Sequence, residues 1–174
     1  MSYMHIQNLY KAQDILAFKR CFALEKIHGT SAHVAWRDGS VVLSSGGEKA
    51  ERFAKLFDIE ALASSFAEKF TKADPVVIYG EAYGGKQQGM SATYGKELKF
   101  IAFEVKIGDL WLDVWPAFGI VSALGLEFVD FSEIDADIVA IDAERDKPSA
   151  HRLCAMESLS RNSAKASYCG LHSK

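Results

Sequence analysis

Two short turn sequences constrain the fold of this 174-residue chain more than any other feature. Asp38-Gly39 separates the β-rich runs HVAWR and SVVLSS, and Gly108-Asp109 separates LKFIAFEVKI from LWLDVW. A glycine-containing pair between apolar runs predicts a β-hairpin, because glycine tolerates the positive φ that a tight turn needs. Together with the apolar run VVIYGEA at residues 76–82, these hairpins predict a sheet of antiparallel strands.

In the segments around these strands, apolar residues recur at the spacing of a helix. The expected helices are Leu9 to Phe18, Glu48 to Phe70 with a break near Asp58, and Pro116 to about Leu124. CFALEKI at residues 21–27 and EFVDF at residues 127–131 are the remaining expected strands, and the glycine-rich residues 83–95 are expected to form a loop. Beyond residue 131 the periodicity weakens. Together, the expected helices and strands predict a mixed α+β fold.

The composition is that of a soluble globular protein, with 49% apolar and 25% charged residues. The net charge of −3 indicates no general affinity for nucleic acid, although a local basic groove could still bind it. No apolar run reaches the roughly eighteen residues of a membrane span, and the N-terminus lacks a secretory signal, so no membrane association is expected. Cys21, Cys154 and Cys169 form no CxxC pair, which predicts reduced thiols in a cytoplasmic protein.

The segment LEKIHGTS, residues 24–31, places a lysine directly before a His-Gly turn. At pH 7 a lysine with an ordinary pKa of about 10.4 is protonated and cannot attack. Burial or neighbouring cations would lower the pKa and free the lone pair, which would make Lys26 a nucleophile. The alternative is a solvated strand lysine, because most lysines are exposed.

Two further segments contain residues suited to a binding site. Glu81 ends an apolar strand and precedes a glycine-rich loop, where sites are often built, although a solvated loop charge is the alternative. In FIAFEV, residues 100–105, strand alternation predicts that Glu104 shares a face with Phe100 and that Phe103 lies on the other face. An aromatic ring on a cleft-facing strand can stack on a nucleobase, and core packing is its other possible role.

In this order along the chain, EKIHGTS, LSSGG, IYGEAYGGK and FIAFEVKI resemble the motifs of the covalent nucleotidyltransferase superfamily. The resemblance is closest to phage-type ATP-dependent RNA ligases, whose nucleophile motif is Lys-x-His/Asp-Gly-Thr-Ser/Asn. It extends from about Leu24 to Trp115. It implies an α+β, antiparallel-sheet nucleotidyltransferase (adenylation) domain of the ATP-grasp-like ligase type. We expect this core in residues 1–146 and an atypical polar and basic tail in residues 147–174.

The resemblance implies an enzyme that joins RNA ends with ATP. Lys26 would attack the α-phosphate of ATP and expel pyrophosphate, which leaves a lysyl-adenylate. The AMP would pass to an RNA 5′-phosphate, and a 3′-hydroxyl would then displace it and seal the strand. Mg²⁺ would neutralise phosphate charge and orient the pyrophosphate. RNA ends and ATP are the implied partners, and no protein partner can be inferred.

The resemblance also assigns roles to individual residues. The residues implied to surround the nucleotide are Glu25 beside the adenine, Ser31 near the attacking lysine, Glu81 at the ribose and Phe103 stacked on the base. The implied metal ligands are Glu81 and Glu104. Lys86 and Lys106 are further candidates for phosphate or RNA contacts.

Two motifs of the family do not appear after Phe131 in the sequence. One is a Glu-Gly-hydrophobic-Val strand, and the other is a Lys-x-Lys strand that binds the α-phosphate. Either unfamiliar segments supply these residues, or the domain is incomplete at its C-terminus, which is what we expect. The activity is then expected to be weakened, since losing one preorganised charge contact costs about 3 kcal/mol. Suitable codons for Ser163 to Leu171, read in a shifted frame, encode Arg-Glu-Gly-Ile-Val-Leu-Arg-Pro, which resembles the missing acidic motif. This suggests a frameshifted gene, which sequencing the gene would test.

Two alternatives to an RNA ligase stay open at this point. The first is a degenerate, non-catalytic module that binds nucleotide or RNA. The second is a capping-type guanylyltransferase, since capping enzymes and DNA ligases share a Lys-x-Asp-Gly core. The HGTS ending favours an RNA ligase over the capping enzyme.

Overall fold

The computed structural model describes residues 3, 8–9, 11–70 and 75–151, and the backbone of 172–173. The chain folds as two compact units, one formed by Met1–Lys26 with Asp130–Lys174 and the other by Ile27–Val129. The expected boundary after residue 146 stays a prediction. The polar tail, Cys154, Cys169 and the shifted-frame segment 163–171 lie outside the described residues.

In chain order the strands and helices are β1 (Arg20–Leu24), β2 (Thr30–Arg37), β3 (Ser40–Ser45), α1 (Ala50–Ala54), α2 (Ile59–Lys69), β4 (Val76–Gly84), α3 (Ser91–Tyr94), β5 (Leu98–Ile107), β6 (Leu110–Trp111), α4 (Val114–Ala123), β7 (Phe131–Asp135), α5 (Ile138–Arg145) and β8 (His172–Ser173). Short 3₁₀ turns occupy Asp14–Ala17 and Gln87–Gly89. Within the described part of the chain, no helix is both long and apolar enough to cross a bilayer.

The first unit is built on a three-stranded antiparallel sheet. Its central strand is β1, which pairs with β7 on one side and with β8 on the other. The inner residues of β1, from Cys21 to Leu24, are all buried. Helix α5 follows β7, and the side chain of Asp137 caps it by accepting a hydrogen bond from the Ala140 N–H at 2.8 Å.

The second unit contains a five-stranded sheet with the order β3-β2-β4-β5-β6, in which every neighbouring pair is antiparallel. Both expected hairpins are confirmed. Asp38 and Gly39 have φ values of 51° and 73°, as a two-residue turn with left-handed geometry requires. The second hairpin turns at Gly108, where φ is 56°.

Helices α1 and α2 cover one face of this five-stranded sheet. The ring of Trp36 on β2 stacks on Phe66 of α2, with centroids 5.6 Å apart and planes 4° apart. Phe100 on β5 makes edge contacts with Phe53 and Phe57. The expected break near Asp58 is confirmed, because this residue caps α2 through a 3.0 Å hydrogen bond from the Ala61 N–H. This covered side is called the helix-side face below.

A β-bulge in β5 overturns the expected alternation of FIAFEV. The register with β4 shifts between Tyr79 and Gly80, so Tyr79 pairs with Glu104 while Gly80 pairs with Ala102. Phe103 is therefore the extra residue on β5. An extra residue breaks the two-residue period, so Glu104 lies on the opposite face from Phe100 rather than on the same face.

Other expectations were partly wrong. Among the described residues of the first expected helix, only Asp14–Ala17 is helical. Of LWLDVW only Leu110–Trp111 is a strand, because Asp113 leads directly into α4. EFVDF contributes a single bridge between Phe128 and Ala102, and the strand begins at Phe131. Residues 138–145 form an unexpected helix, and short helical turns occupy part of the glycine-rich segment that was expected to be a loop.

Gly80 tests the packing of β4 against β5. A Cβ atom there would lie 2.3 Å from the Ile101 carbonyl oxygen and 2.6 Å from the Phe100 ring. Gly80→Ala is therefore expected to lower the free energy of unfolding by about 1–3 kcal/mol, as overpacking does. Urea denaturation measures this loss.

Gly119→Ala is the matched control. Gly119 lies in α4, and a Cβ atom there would meet nothing within 4 Å. Alanine favours a helix by up to about 1 kcal/mol over glycine, so this variant is expected to be neutral or more stable than the wild type. Equal stability of the two alanine variants would contradict the close approach at Gly80.

Candidate functional site

The turn formed by His28 to Ser31 is bound to the end of β4. The Gly29 N–H donates to Glu81 Oε1 at 3.0 Å. A Cβ atom on Gly29 would lie 2.2 Å from the Ala82 carbonyl oxygen, so only glycine allows this approach. The His28 N–H donates to the Tyr94 hydroxyl at 3.4 Å. The turn that follows Lys26 in the sequence is thus held by a carboxylate and a phenol from other parts of the second unit.

The LSSGG segment packs against the same turn. The Gly46 N–H donates to the Ser31 carbonyl at 2.9 Å. A Cβ atom on Gly47 would lie 2.8 Å from Thr30 Oγ1. The first two segments that carried the family resemblance therefore meet in space, and the glycine residues allow their backbones to approach closely.

A polar cluster joins this region to the glycine-rich loop after β4. Gln87 Nε2 donates to Glu48 Oε2 at 2.9 Å, and Arg52 Nη1 lies 3.5 Å from the same oxygen. The Glu48 side chain and Gln87 are each 8% exposed. Five residues at the end of β4 and in the segment that follows it have positive φ, which are Gly84, Gly85, Gln88, Gly89 and Gly95. The covered Gln87 side chain is therefore an anchor for a loop whose backbone conformation is unfavourable for most residues.

The two expected metal ligands lie on one face of the sheet. Ser31 pairs with Glu81 across β2 and β4, and Tyr79, two residues before Glu81, pairs with Glu104 on β5. Paired and alternate residues share a face, and this face is opposite the helix-side face. Glu104 is only 4% exposed, and Phe103 is half-buried at the bulge.

An aromatic group continues along the same face toward β6. Tyr79 contacts His33 and Trp111, with ring centroids 6.1 Å and 5.1 Å apart. Lys106 Nζ lies 5.5 Å from the centre of the Trp111 ring and 3.4 Å from Asp109. Of the two lysines named as phosphate candidates, Lys106 thus lies beside an aromatic ring, whereas Lys86 is exposed in the loop.

The carboxylates on this face are compatible with a magnesium ion. No group of three or more His, Cys, Asp or Glu side chains is arranged to hold a metal among the residues that the structure describes. Mg²⁺ is usually bound by one or two carboxylates together with water and substrate phosphates. Glu81 and Glu104 supply a donor set of that kind on the same face.

The first unit contains the remaining two candidates, Glu25 and Lys26. Lys26 is exposed just after β1. The Glu25 carboxylate accepts hydrogen bonds from the Ser149 hydroxyl, from the Ala150 N–H at 3.3 Å and from His151 Nδ1 at 3.0 Å. Burial raises the pKa of Glu25, but these hydrogen bonds and the charge of His151 outweigh it, so the pKa is lower than usual.

Some contacts at the site were not expected from the sequence. They involve Glu48, Gln87, Tyr94, Ser149 and His151. Each joins residues far apart in the chain, and a buried glutamine in a glycine-rich segment has no periodic signal. The expected strand end at Glu81 and the segments LEKIHGTS and LSSGG pointed toward this region, but not to these contacts.

Comparisons with known proteins identify the fold. No protein-family model matches the chain, and no curated protein matches its sequence. Solved structures do match. A point mutant of the Naegleria gruberi RNA ligase with AMP and manganese superposes with a TM-score of 0.68 at 15% identity, over 87% of this chain and 49% of that chain.

Two other solved structures of RNA ligases also match the fold of this chain. The Naegleria gruberi RNA ligase with pyrophosphate matches with a TM-score of 0.68 at 15% identity, over 87% of this chain and 49% of that one. An archaeal ATP-dependent RNA ligase matches with a TM-score of 0.62 at 22% identity, over 83% and 40%. The chain therefore has a fold similar to that of RNA ligase nucleotidyltransferase domains, and it spans about half or less of the length of these ligases.

Gln87→Glu tests the polar cluster. It removes a hydrogen-bond donor and places a second carboxylate against Glu48, which is expected to destabilise the fold by about 1–3 kcal/mol at pH 7. The loss should shrink as the pH falls and one carboxyl group of the pair becomes protonated. Urea denaturation at several pH values measures it. Gln88→Glu, at the exposed neighbouring position, is the control, and an equal loss in both variants would contradict the anchoring role of Gln87.

Glu25→Gln tests the carboxylate of the first unit. A carboxyl group whose pKa is lower in the folded than in the unfolded state, where it is about 4.3, stabilises the fold above that value. This contribution is lost as the pH falls through the folded-state pKa. The wild type is thus expected to exceed Glu25→Gln in melting temperature at pH 6–7, and the difference should decrease toward about pH 3.

The control is Glu97→Gln, which removes the charge of an exposed loop carboxylate. A difference between wild type and Glu25→Gln that does not depend on pH would contradict the lowered pKa of Glu25.

Proposed function

We propose that this chain is the nucleotidyltransferase core of an ATP-dependent RNA ligase, which joins RNA 5′-phosphate and 3′-hydroxyl ends through a lysyl-AMP intermediate. The observation that carries the proposal is the hydrogen bond between the Gly29 N–H and the Glu81 carboxylate. It joins the turn that follows the candidate nucleophile to the glutamate of the third ligase-like segment. The fold shared with RNA ligase structures supports the same assignment.

In the first step of the proposed reaction, Lys26 loses a proton and its Nζ attacks the α-phosphorus of ATP. A nitrogen–phosphorus bond forms while the bond from the α-phosphorus to the bridging oxygen breaks, and pyrophosphate leaves. The 5′-phosphate of an RNA then attacks the same phosphorus and regenerates the lysine. Finally, a 3′-hydroxyl attacks the activated 5′-phosphorus, which joins the strands and releases AMP.

Four further residues are proposed to bind and orient the nucleotide. Glu81, already fixed by the Gly29 N–H, is assigned to the ribose, and Ser31, its cross-strand neighbour, is assigned to the region of the reacting phosphate. Phe103 is assigned to the adenine, and its half-buried position at a bulge supports this, because bulges re-aim side chains. Glu25 is assigned to a position beside the base.

Glu81 and Glu104 are the residues proposed to hold the divalent metal. When bound, Mg²⁺ would neutralise charge on the phosphates. Both residues lie on the same face of the five-stranded sheet. We expect the protein to act in RNA repair in the cytoplasm.

Incubation with α-labelled ATP and magnesium, followed by denaturing gel electrophoresis, tests this proposal. The wild type is expected to carry a covalent label, and Lys26→Ala is expected to carry none, because the variant lacks the nucleophile. Lys69→Ala is the matched control, since Lys69 is an exposed lysine at the end of α2, the helix whose Phe66 packs on the helix-side face.

Other outcomes of the same experiment would contradict the proposal. Labelling by GTP alone would indicate a capping-type enzyme. Binding of ATP without any covalent label would indicate a non-catalytic binding module. Label that persists in Lys26→Ala would assign the nucleophile to another residue.

A further inference from the structure

We infer that Ser149 and His151 are positioning residues for the adenylation of Lys26, acting through the carboxylate of Glu25. The inference rests on the proposed function and adds two residues from a segment distant in sequence. Together with the Ala150 N–H, they form a group of three donors around one carboxylate, which we call the Glu25 cap.

The three donors of the Glu25 cap come from neighbouring positions in the chain. Three consecutive residues each direct a hydrogen-bonding group at Glu25, two of them toward Oε2 and one toward Oε1. The side chains of Glu25 and His151 are 18% and 15% exposed. Exposed ion pairs contribute little to the stability of a fold. Hydrogen bonds to a largely covered carboxylate are stronger than hydrogen bonds between neutral groups.

The backbone of Glu25 is fixed as well as its side chain. The Glu25 N–H donates to the Asp130 carbonyl at 2.9 Å, next to the pairing of Leu24 with Phe131 in the β1–β7 ladder. Glu25 is thus held at its main chain by the segment that leads into β7 and at its carboxylate by residues 149–151. Lys26 is the next residue along the chain.

Restraint of this kind matters for a nucleophile. A displacement of about 1 Å in a reacting group can lower a rate 100-fold, because the attacking atom must be aligned with the bond that breaks. Long lysine side chains are flexible, so the direction in which Lys26 leaves the main chain limits where Nζ can reach.

A mutant series separates positioning from nucleotide binding. The measured quantities are the single-turnover rate of lysyl-adenylate formation at saturating ATP and the dissociation constant of ATP. The double variant S149A/H151A is expected to lower the rate about 10- to 100-fold and to change the dissociation constant less than about twofold.

Two single variants sharpen the test. His151→Asn keeps a donor near the position of Nδ1 and is expected to restore the rate to within about threefold of wild type. Arg145→Ala removes ion pairs to Asp142 and Asp146 in the same unit and is expected to behave like wild type. An unchanged rate in the double variant, or a loss explained entirely by weaker ATP binding, would overturn the inference.

A measurement without ATP guards against a variant that fails for structural reasons. Competitive acetylation, read by mass spectrometry, compares the reactivity of Lys26 with that of Lys69 in the same sample. The double variant is expected to change the reactivity of Lys26 at least threefold, with Lys69 unchanged. His151→Asn is expected to reverse the change, and equal reactivity in all variants would overturn the inference.

The proposed function and this inference fail in different ways. A wild type that forms no lysyl-adenylate contradicts the proposed function and the inference that rests on it. A wild type that forms it normally, with variants that react equally fast, contradicts the positioning role alone.

Discussion

The close approach of Gly29 to β4 is the constraint on which the candidate site depends. A side chain at this position would collide with the Ala82 carbonyl, and the Gly29 N–H meets the Glu81 carboxylate. The turn therefore lies against the strand, and Ser31 is brought opposite Glu81.

Two further segments of the second unit reach that turn. Gly46 and Gly47 bring the LSSGG segment against it, and Tyr94 reaches it from α3. A covered hydrogen bond between Gln87 and Glu48 then connects the residue after LSSGG to the glycine-rich loop that precedes α3. Backbone contacts thus set the loop positions, and buried polar side chains stabilise them.

The hairpins and the helix break at Asp58 could be predicted because their signals are local, in a turn dipeptide and a capping residue. The order of the motifs indicated the fold as well. The bulge at Phe103 could not be predicted, because it depends on how β4 pairs with β5, and it moved Glu104 to the other face. The contacts of Gln87 and of the Glu25 cap could not be predicted either, because they join residues far apart in the chain and no spacing pattern in the sequence indicates them.

Mass spectrometry of the purified protein after incubation with ATP and magnesium tests the central claim most directly. Our account predicts a single added AMP group, attached through a phosphoramidate bond that acid cleaves, on the peptide that contains Lys26. An AMP group on any other residue, or an unmodified protein under conditions in which ATP binds, would contradict it.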